Sequence, residues 1–133
     1  MNNNFYTPND TVKALSLLNG YFDAAKWTED LTVEKVQKES WNKSYNDCFK
    51  FVRSILESEE YKKASFTMDW TNQELVDSMG HDLWLTRNGH GSGFWDRPEL
   101  WGDCADLFSD LARKLGTVYA SEESNVLILD SGV

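Results

Sequence analysis

The sequence predicts an α+β domain in which N-terminal helices and one C-terminal helix pack on a small antiparallel sheet built from two hairpins. Three observations predict it. Apolar residues recur at three- and four-residue steps through most of residues 10–80, the spacing of one helix face. Residues 81–97 carry two short apolar runs about a glycine-rich turn. Beyond Pro98 one strongly patterned helix precedes two further short apolar runs around an acidic turn.

Asn9 or Asp10 can cap a first helix of roughly 11–25, whose face is Val12, Leu15, Leu18, Tyr21, Phe22 and Ala25. Residues 28–32 read as a connection, with Thr32 a candidate cap for a longer helix from about Val33 to Glu60. The clearest stripe of that helix is Trp41, Tyr45, Cys48, Phe49, Val52, Ile55 and Leu56, and Ser40 offers an alternative start. Residues 65–70 are irregular. Thr71 or Asn72 then caps a short helix that ends at Gly80, a residue suited to a left-handed C-terminal cap. Residues 82–87 and 93–97 read as paired strands, with residues 88–93 as a long pliable tip. Pro98 opens a helix with the stripe Leu100, Trp101, Cys104, Leu107, Phe108, Leu111 and Leu115, closed by Gly116. Residues 117–120 and 125–129 form the last hairpin. No repeat or boundary divides the chain, so 1–133 reads as a single domain, mainly helical over 1–80 and hairpin, helix, hairpin over 81–133.

With 133 residues and an aromatic fraction of 14%, including six Trp, the chain can bury a full core without metal or disulfide staples. That excludes global disorder. The formal net charge is −9. Residues 1–65 carry 9 basic and 10 acidic side chains, a net of −1, whereas residues 66–133 carry 4 and 12, a net of −8. Such a half repels phosphate backbones and anionic lipid, so direct nucleic-acid and membrane binding are disfavoured. Cys48 and Cys104 fall on apolar helix faces and read as small buried hydrophobes. Without a Cys-x-x-Cys there is neither a zinc ribbon nor a thioredoxin-like site. Met1–Asn4 lacks the basic and apolar regions of a secretory signal, which points to a reducing cytoplasm.

The chemistry-bearing residues concentrate between 80 and 97: Gly-His-Asp-Leu-Trp-Leu-Thr-Arg-Asn-Gly-His-Gly-Ser-Gly-Phe-Trp-Asp-Arg. This stretch resembles the signature of a family of small acidic bacteriophage proteins, His-Asp-aromatic-Trp-Leu-Thr-Arg-Asn-Gly-His-Gly-x-Gly-Phe-Trp-Asp-Arg. The departures are Leu83, where an aromatic is common, and Ser92, where alanine is common. The following helix and the C-terminal β segment are also similar, and residues 1–70 only loosely so. The resemblance implies a phage origin, hence the cytoplasm of a bacterial host, and a shared site, but no reaction.

Read from the residues themselves, the motif allows several roles. His81, Asp82, His90 and Asp96 are a plausible ligand set for a divalent transition metal. A hairpin brings His81, Asp82 and Asp96 together at its open end but leaves His90 at the tip, roughly 15–20 Å away. The structural alternative has Asp82 and Asp96 satisfying Arg87, Arg97 or turn amides. Gly89–Gly93 superficially resembles a phosphate loop but lacks both the Walker pattern and a nucleophile elbow. The tip reads either as a plain long turn or as a recognition loop, with His90 and Ser92 above Arg87 and Asn88. Trp95, or another tryptophan exposed beside it, would be a binding hot spot.

Glu99, Asp103, Asp106 and Asp110, at spacings of four, three and four, align on one face of the helix after Pro98, opposite its apolar stripe. Their axial separation is about 4.5–6 Å, close to that of phosphates along a nucleic-acid strand. Like charges so placed repel, and only Arg113 and Lys114 relieve the C-terminal end. The sequence thus favours a non-enzymatic phage accessory protein, with no cofactor. It would bind and modulate a host or defence protein through an acidic, nucleic-acid-mimicking surface set against a basic groove. The alternative is a small metal-dependent hydrolase or nuclease using His81, Asp82, His90 and Asp96.

Overall fold

A computed structural model describes residues 9–131 of the chain. The N-terminal reading at Met1–Asn4 lies outside these residues. The element order is α1 (Asp10–Thr28), β1 (Lys35–Val36), α2 (Lys38–Glu57), α3 (Glu59–Lys63), α4 (Gln73–Arg87), α5 (Pro98–Trp101), α6 (Ala105–Arg113), β2 (Tyr119–Glu123) and β3 (Val126–Asp130). Short 3₁₀ turns occupy Phe94–Asp96 and Gly102–Cys104. The mixed α+β character stands, but the sheet is not two hairpins. It has three strands in the order β1-β3-β2, with β1 parallel and β2 antiparallel to β3.

Local chemistry explains the helix starts. Asn9 Oδ1 accepts from the Val12 amide, and Asn72 Oδ1 from the Leu75 amide. The last hairpin turns at Ser124 and Asn125, both with positive φ, the two-residue geometry that suits the twist of paired strands. β1 was not legible, since residues 33–37 read as helix. Its two residues are held by parallel pairing of Lys35 with Val126 and Val36 with Leu127. The second helix therefore starts at Lys38, near Ser40 rather than Thr32. Ser40 Oγ there accepts from the Leu129 amide, tying α2 to β3.

The first hairpin is the main correction. Residues 82–87 continue α4, and residues 94–96 form a 3₁₀ turn instead of a strand. Asp82, Leu83, Trp84, Leu85, Thr86 and Arg87 are all buried. A helix enclosed on every side has no polar stripe, so the period that normally marks a helix is missing. Gly80 does not cap α4 but lies inside it, where α1 crosses. A Cβ on Gly80 would stand 2.1 Å from the Leu17 carbonyl oxygen, and one on Gly20 would stand 2.0 Å from that of Asp77. The helices touch backbone to backbone there. The true stop is Gly89, at φ 70. Its amide donates to the Thr86 carbonyl and that of His90 to the Leu85 carbonyl, the paired bonds of a Schellman cap.

The helix expected from Pro98 to Leu115 is also interrupted. Gly102, at φ 55, breaks it into α5, a 3₁₀ turn and α6. The core it covers is aromatic: Phe51, Phe94, Trp101 and Phe108 pack with ring centroids 5.4–6.3 Å apart. Leu83, Trp84 and Leu85 of α4 lie in the same core.

Candidate functional site

The 80–97 motif divides into two internal hubs and one open groove. The first hub is Arg87, the last residue of α4. Its guanidinium donates to the Gly116 carbonyl (2.7 Å), the Leu115 carbonyl (2.8 Å), the Tyr21 hydroxyl (3.0 Å) and Asp47 Oδ2 (2.8 Å). Burial pushes the Tyr21 phenol far above its ordinary range, an effect that the adjacent Arg87 charge only partly offsets. Asn88 continues the clamp. Its amide nitrogen donates to the Trp84 carbonyl and its oxygen accepts from the Val118 amide at 2.7 Å. Arg87 and Asn88, expected at the base of a recognition tip, fasten α4 to the segment that leads into β2.

The second hub is Asp82, fully buried. It accepts from Trp101 Nε1 at 2.8 Å, and its other oxygen stands 3.5 Å from His81 Nδ1. Arg97 Nε lies 3.3 Å from that oxygen, near enough to pair charges, although its N–H is not aimed for a hydrogen bond. Asp96 Oδ1 accepts from the Gly93 amide at 2.8 Å. These are the salt-bridge and turn-amide roles of the structural alternative, with Arg97 rather than Arg87 beside Asp82 and the Gly93 amide on Asp96. His81, Asp82 and Arg97 line a shallow cavity of about 290 Å³ with Gly20, Asp23, Asp77 and Ser78. His90 lines none of it. The proposed metal set is therefore spread over separate places, and the described residues contain no group of three or more His, Cys, Asp or Glu side chains placed to hold a metal ion.

His90 instead lines two other cavities. One, of about 560 Å³, is bounded by Trp27, Thr28, Asp30, Leu85, His90, Gly91 and Ser92. The other, of about 190 Å³, is lined by Glu29, Trp84, Asn88, His90 and residues 117–120, which lead into β2 and begin it. Trp27 and Tyr119, at 68% and 61% exposure, are the most exposed large hydrophobic side chains among the described residues. Each lines one of these two cavities. Trp27 was counted in the sequence only among the aromatic surplus, and Asp30 not at all. The available signal was a tryptophan at the end of an apolar helix, followed by the polar run Thr-Glu-Asp where the chain turns away from that helix. Trp95 is exposed at 43% but borders neither cavity.

The acidic row does not stay on one helix. Glu99 is on α5, Asp103 in the 3₁₀ turn, and Asp106 and Asp110 on α6. Asp103 turns back to accept from the Ser65 and Phe66 amides at 2.9 and 3.1 Å, and these bonds hold its carboxyl below the usual range. Glu99, Asp106 and Asp110 are exposed. Among the described residues the only ion pair of the three is Asp110 with Arg113, at 3.8 Å.

No family model, curated protein or solved structure matches the chain. Among the described residues, no helix is long and apolar enough to cross a membrane.

Proposed function

We propose that the chain is a non-enzymatic phage accessory protein that binds and modulates a host or defence protein by offering carboxylates to a basic groove. The observation that carries this reading is an asymmetry of engagement. Three charged groups of the motif, Asp82, Arg87 and Asp96, are occupied by internal partners. Glu99, Asp106 and Asp110 stand in solvent with little to balance them. Uncompensated like charges cost stability, and a cationic partner removes that cost.

The test is capture of host proteins from lysate by immobilised wild type and by a Glu99→Gln, Asp106→Asn, Asp110→Asn variant, at low and high salt. Asp103 is left intact because it holds the backbone of residues 65 and 66. A partner retained by wild type at low salt and released by the variant is the expected result. Equal capture by both, at both salts, would sink the acidic-surface reading.

The hydrolase reading has one observation in its favour, the His81–Asp82 contact at 3.5 Å beside a cavity. Against it, His90 lines different cavities and Asp96 is bonded to a turn amide. Elemental analysis of the protein purified without chelator separates the two. Stoichiometric zinc or manganese, lost on His81→Ala, would favour the hydrolase.

A further inference from the structure

We infer that the groove between Trp27 and the His90 loop is the docking site for an arginine side chain on an exposed segment of the protein partner. This deepens the reading of a basic partner and rests on it, but uses a different surface from the α5–α6 carboxylates.

The groove has the composition of a built ligand site. Its volume, about 560 Å³, lies within the range of small-molecule pockets. Leu85, buried in the core, gives it an apolar floor. Trp27 lines it too, and its only ring contact among the described residues is the tilted His81 imidazole at 5.8 Å between centroids. Three polar side chains converge on the space, Asp30, His90 and Ser92. None of the three side chains has a hydrogen bond or ion pair within the described residues. Thr28, by contrast, is satisfied: its hydroxyl accepts from Trp84 Nε1 and donates to the Ala25 carbonyl.

Charge selects the occupant. Asp30 lines the groove, Glu29 lines the adjoining cavity, and no Lys or Arg lines either. An anionic ligand in the groove would meet the Asp30 carboxylate, with that of Glu29 in the adjoining cavity, and no Lys or Arg. A cationic ligand meets that carboxylate beside the exposed Trp27 indole. Guanidinium fits this pair better than ammonium, because it is planar, stacks on aromatic faces and takes carboxylates through two parallel N–H bonds. Asp30 can offer both oxygens because no side chain or amide among the described residues holds them. It is fixed at a positive φ of 56, in a turn where its amide donates to the Trp27 carbonyl. The turn thereby fixes the backbone that carries the carboxylate and the indole, leaving only their side-chain torsions to be ordered on binding.

The probe is the peptide acetyl-Gly-Arg-Gly-amide, titrated into ¹⁵N-labelled protein and followed by NMR. Its control replaces arginine with citrulline, which has nearly the same shape and no charge. The expected result is saturable shifts at the Trp27 indole and at the Gly91 and Ser92 amides, with the citrulline peptide at least tenfold weaker. Trp27→Ala and Asp30→Asn should each weaken the arginine peptide at least fivefold. Both side chains are exposed, so the fold is expected to survive, which the unshifted remainder of the spectrum reports. Trp41→Ala, at another exposed tryptophan on α2, should bind as wild type does. Equal binding of the two peptides, shifts elsewhere only, or full binding by Trp27→Ala would each overturn the assignment. The Glu99, Asp106 and Asp110 triple variant keeps this groove intact and should bind the peptide unchanged. If peptide binding fails while that variant still loses salt-sensitive capture, the groove assignment falls and the acidic-surface reading stands.

Discussion

Arg87 and Asp47, forty residues apart in the chain, form an ion pair at 2.8 Å in which the arginine side chain is only 2% exposed. The same guanidinium holds two carbonyls of the segment between α6 and β2, those of Leu115 and Gly116. One side chain thus joins α4, α2, α1 through Tyr21, and the end of the α6 segment.

Removing one partner of such a pair leaves a buried charge with too little around it. Asp47→Asn should destabilise the fold by about 3 kcal/mol, and Arg87→Lys by a similar amount, since an ammonium cannot reach all four acceptors at once. Denaturant unfolding at neutral pH measures both. A loss below about 1 kcal/mol for each would show that the hub is not a stabilising centre.

Alanine is a better helix former than glycine by about 1 kcal/mol, so Gly20→Ala and Gly80→Ala would stabilise isolated helices. In the folded chain each added methyl meets a carbonyl oxygen of the other helix at 2.0–2.1 Å. Either substitution should therefore destabilise by about 2 kcal/mol or more as α1 and α4 are forced apart. The double variant should cost less than the sum, because one separation relieves both clashes. A rise in thermal midpoint for either single variant would contradict the crossing.

Asp103 and Asp106 look alike in the sequence and should behave differently. Asp103→Asn should lower the denaturation midpoint at pH 7, because the charged acceptor for the Ser65 and Phe66 amides is lost. Its carboxyl is held below its ordinary value of 3.8. That contribution is present above the ordinary value and disappears as pH falls through the lowered one. The gap between wild type and Asp103→Asn should narrow below about pH 4. Asp106→Asn should match wild type throughout. A pH-independent gap would assign the effect to shape, not charge.

Both cysteines are buried and unpaired. Burial pushes the Cys104 thiol up to about 11, with Asp103 and Glu60 adding to it, and pushes Cys48 further still. Neither should react with a disulfide reagent at pH 8 in the native protein, and both should react once it is unfolded. From about pH 9 upward the unfolded chain loses thiol protons that the native state keeps, so stability should fall as pH rises. A Cys48→Ala, Cys104→Ala variant should show a shallower alkaline decline. Rapid labelling of native Cys104 would mean that the α6 packing opens readily.

Much of the fold follows from short-range signals. Asn9 and Asn72 cap the helices they precede, and the stripe Cys48, Val52, Ile55 points inward as its spacing requires. The first turns of α1 do not follow that rule: Val12 and Leu15 share the apolar spacing yet remain exposed at 37% and 42%. Periodicity fixes which residues share a face, not how far along the helix a neighbour covers it. The candidate site was half legible. His90 and Ser92 were visible as a glycine-framed tip, but their cavity needs Trp27 and Asp30 from the far end of α1.

The sequence by itself determined the Asn9 and Asn72 cap regions, the stripe of α2 and the existence of the last hairpin, because these depend on hydrogen bonds and side-chain spacing within a few residues. The turn of that hairpin, expected over residues 121–124, is instead the tighter Ser124–Asn125 pair, with Ser121, Glu122 and Glu123 in β2. It also determined the charge imbalance that disfavours anionic partners. Only the tertiary structure decided that Leu83-Trp84-Leu85 is helix, since a run buried on all sides has lost the periodicity that separates helix from strand. It alone decided which of the motif's charges are internal. An Asp or Arg is a surface group or a buried hub according to whether a partner waits for it, and those partners lie far along the chain: Asp47 for Arg87, Trp101 for Asp82.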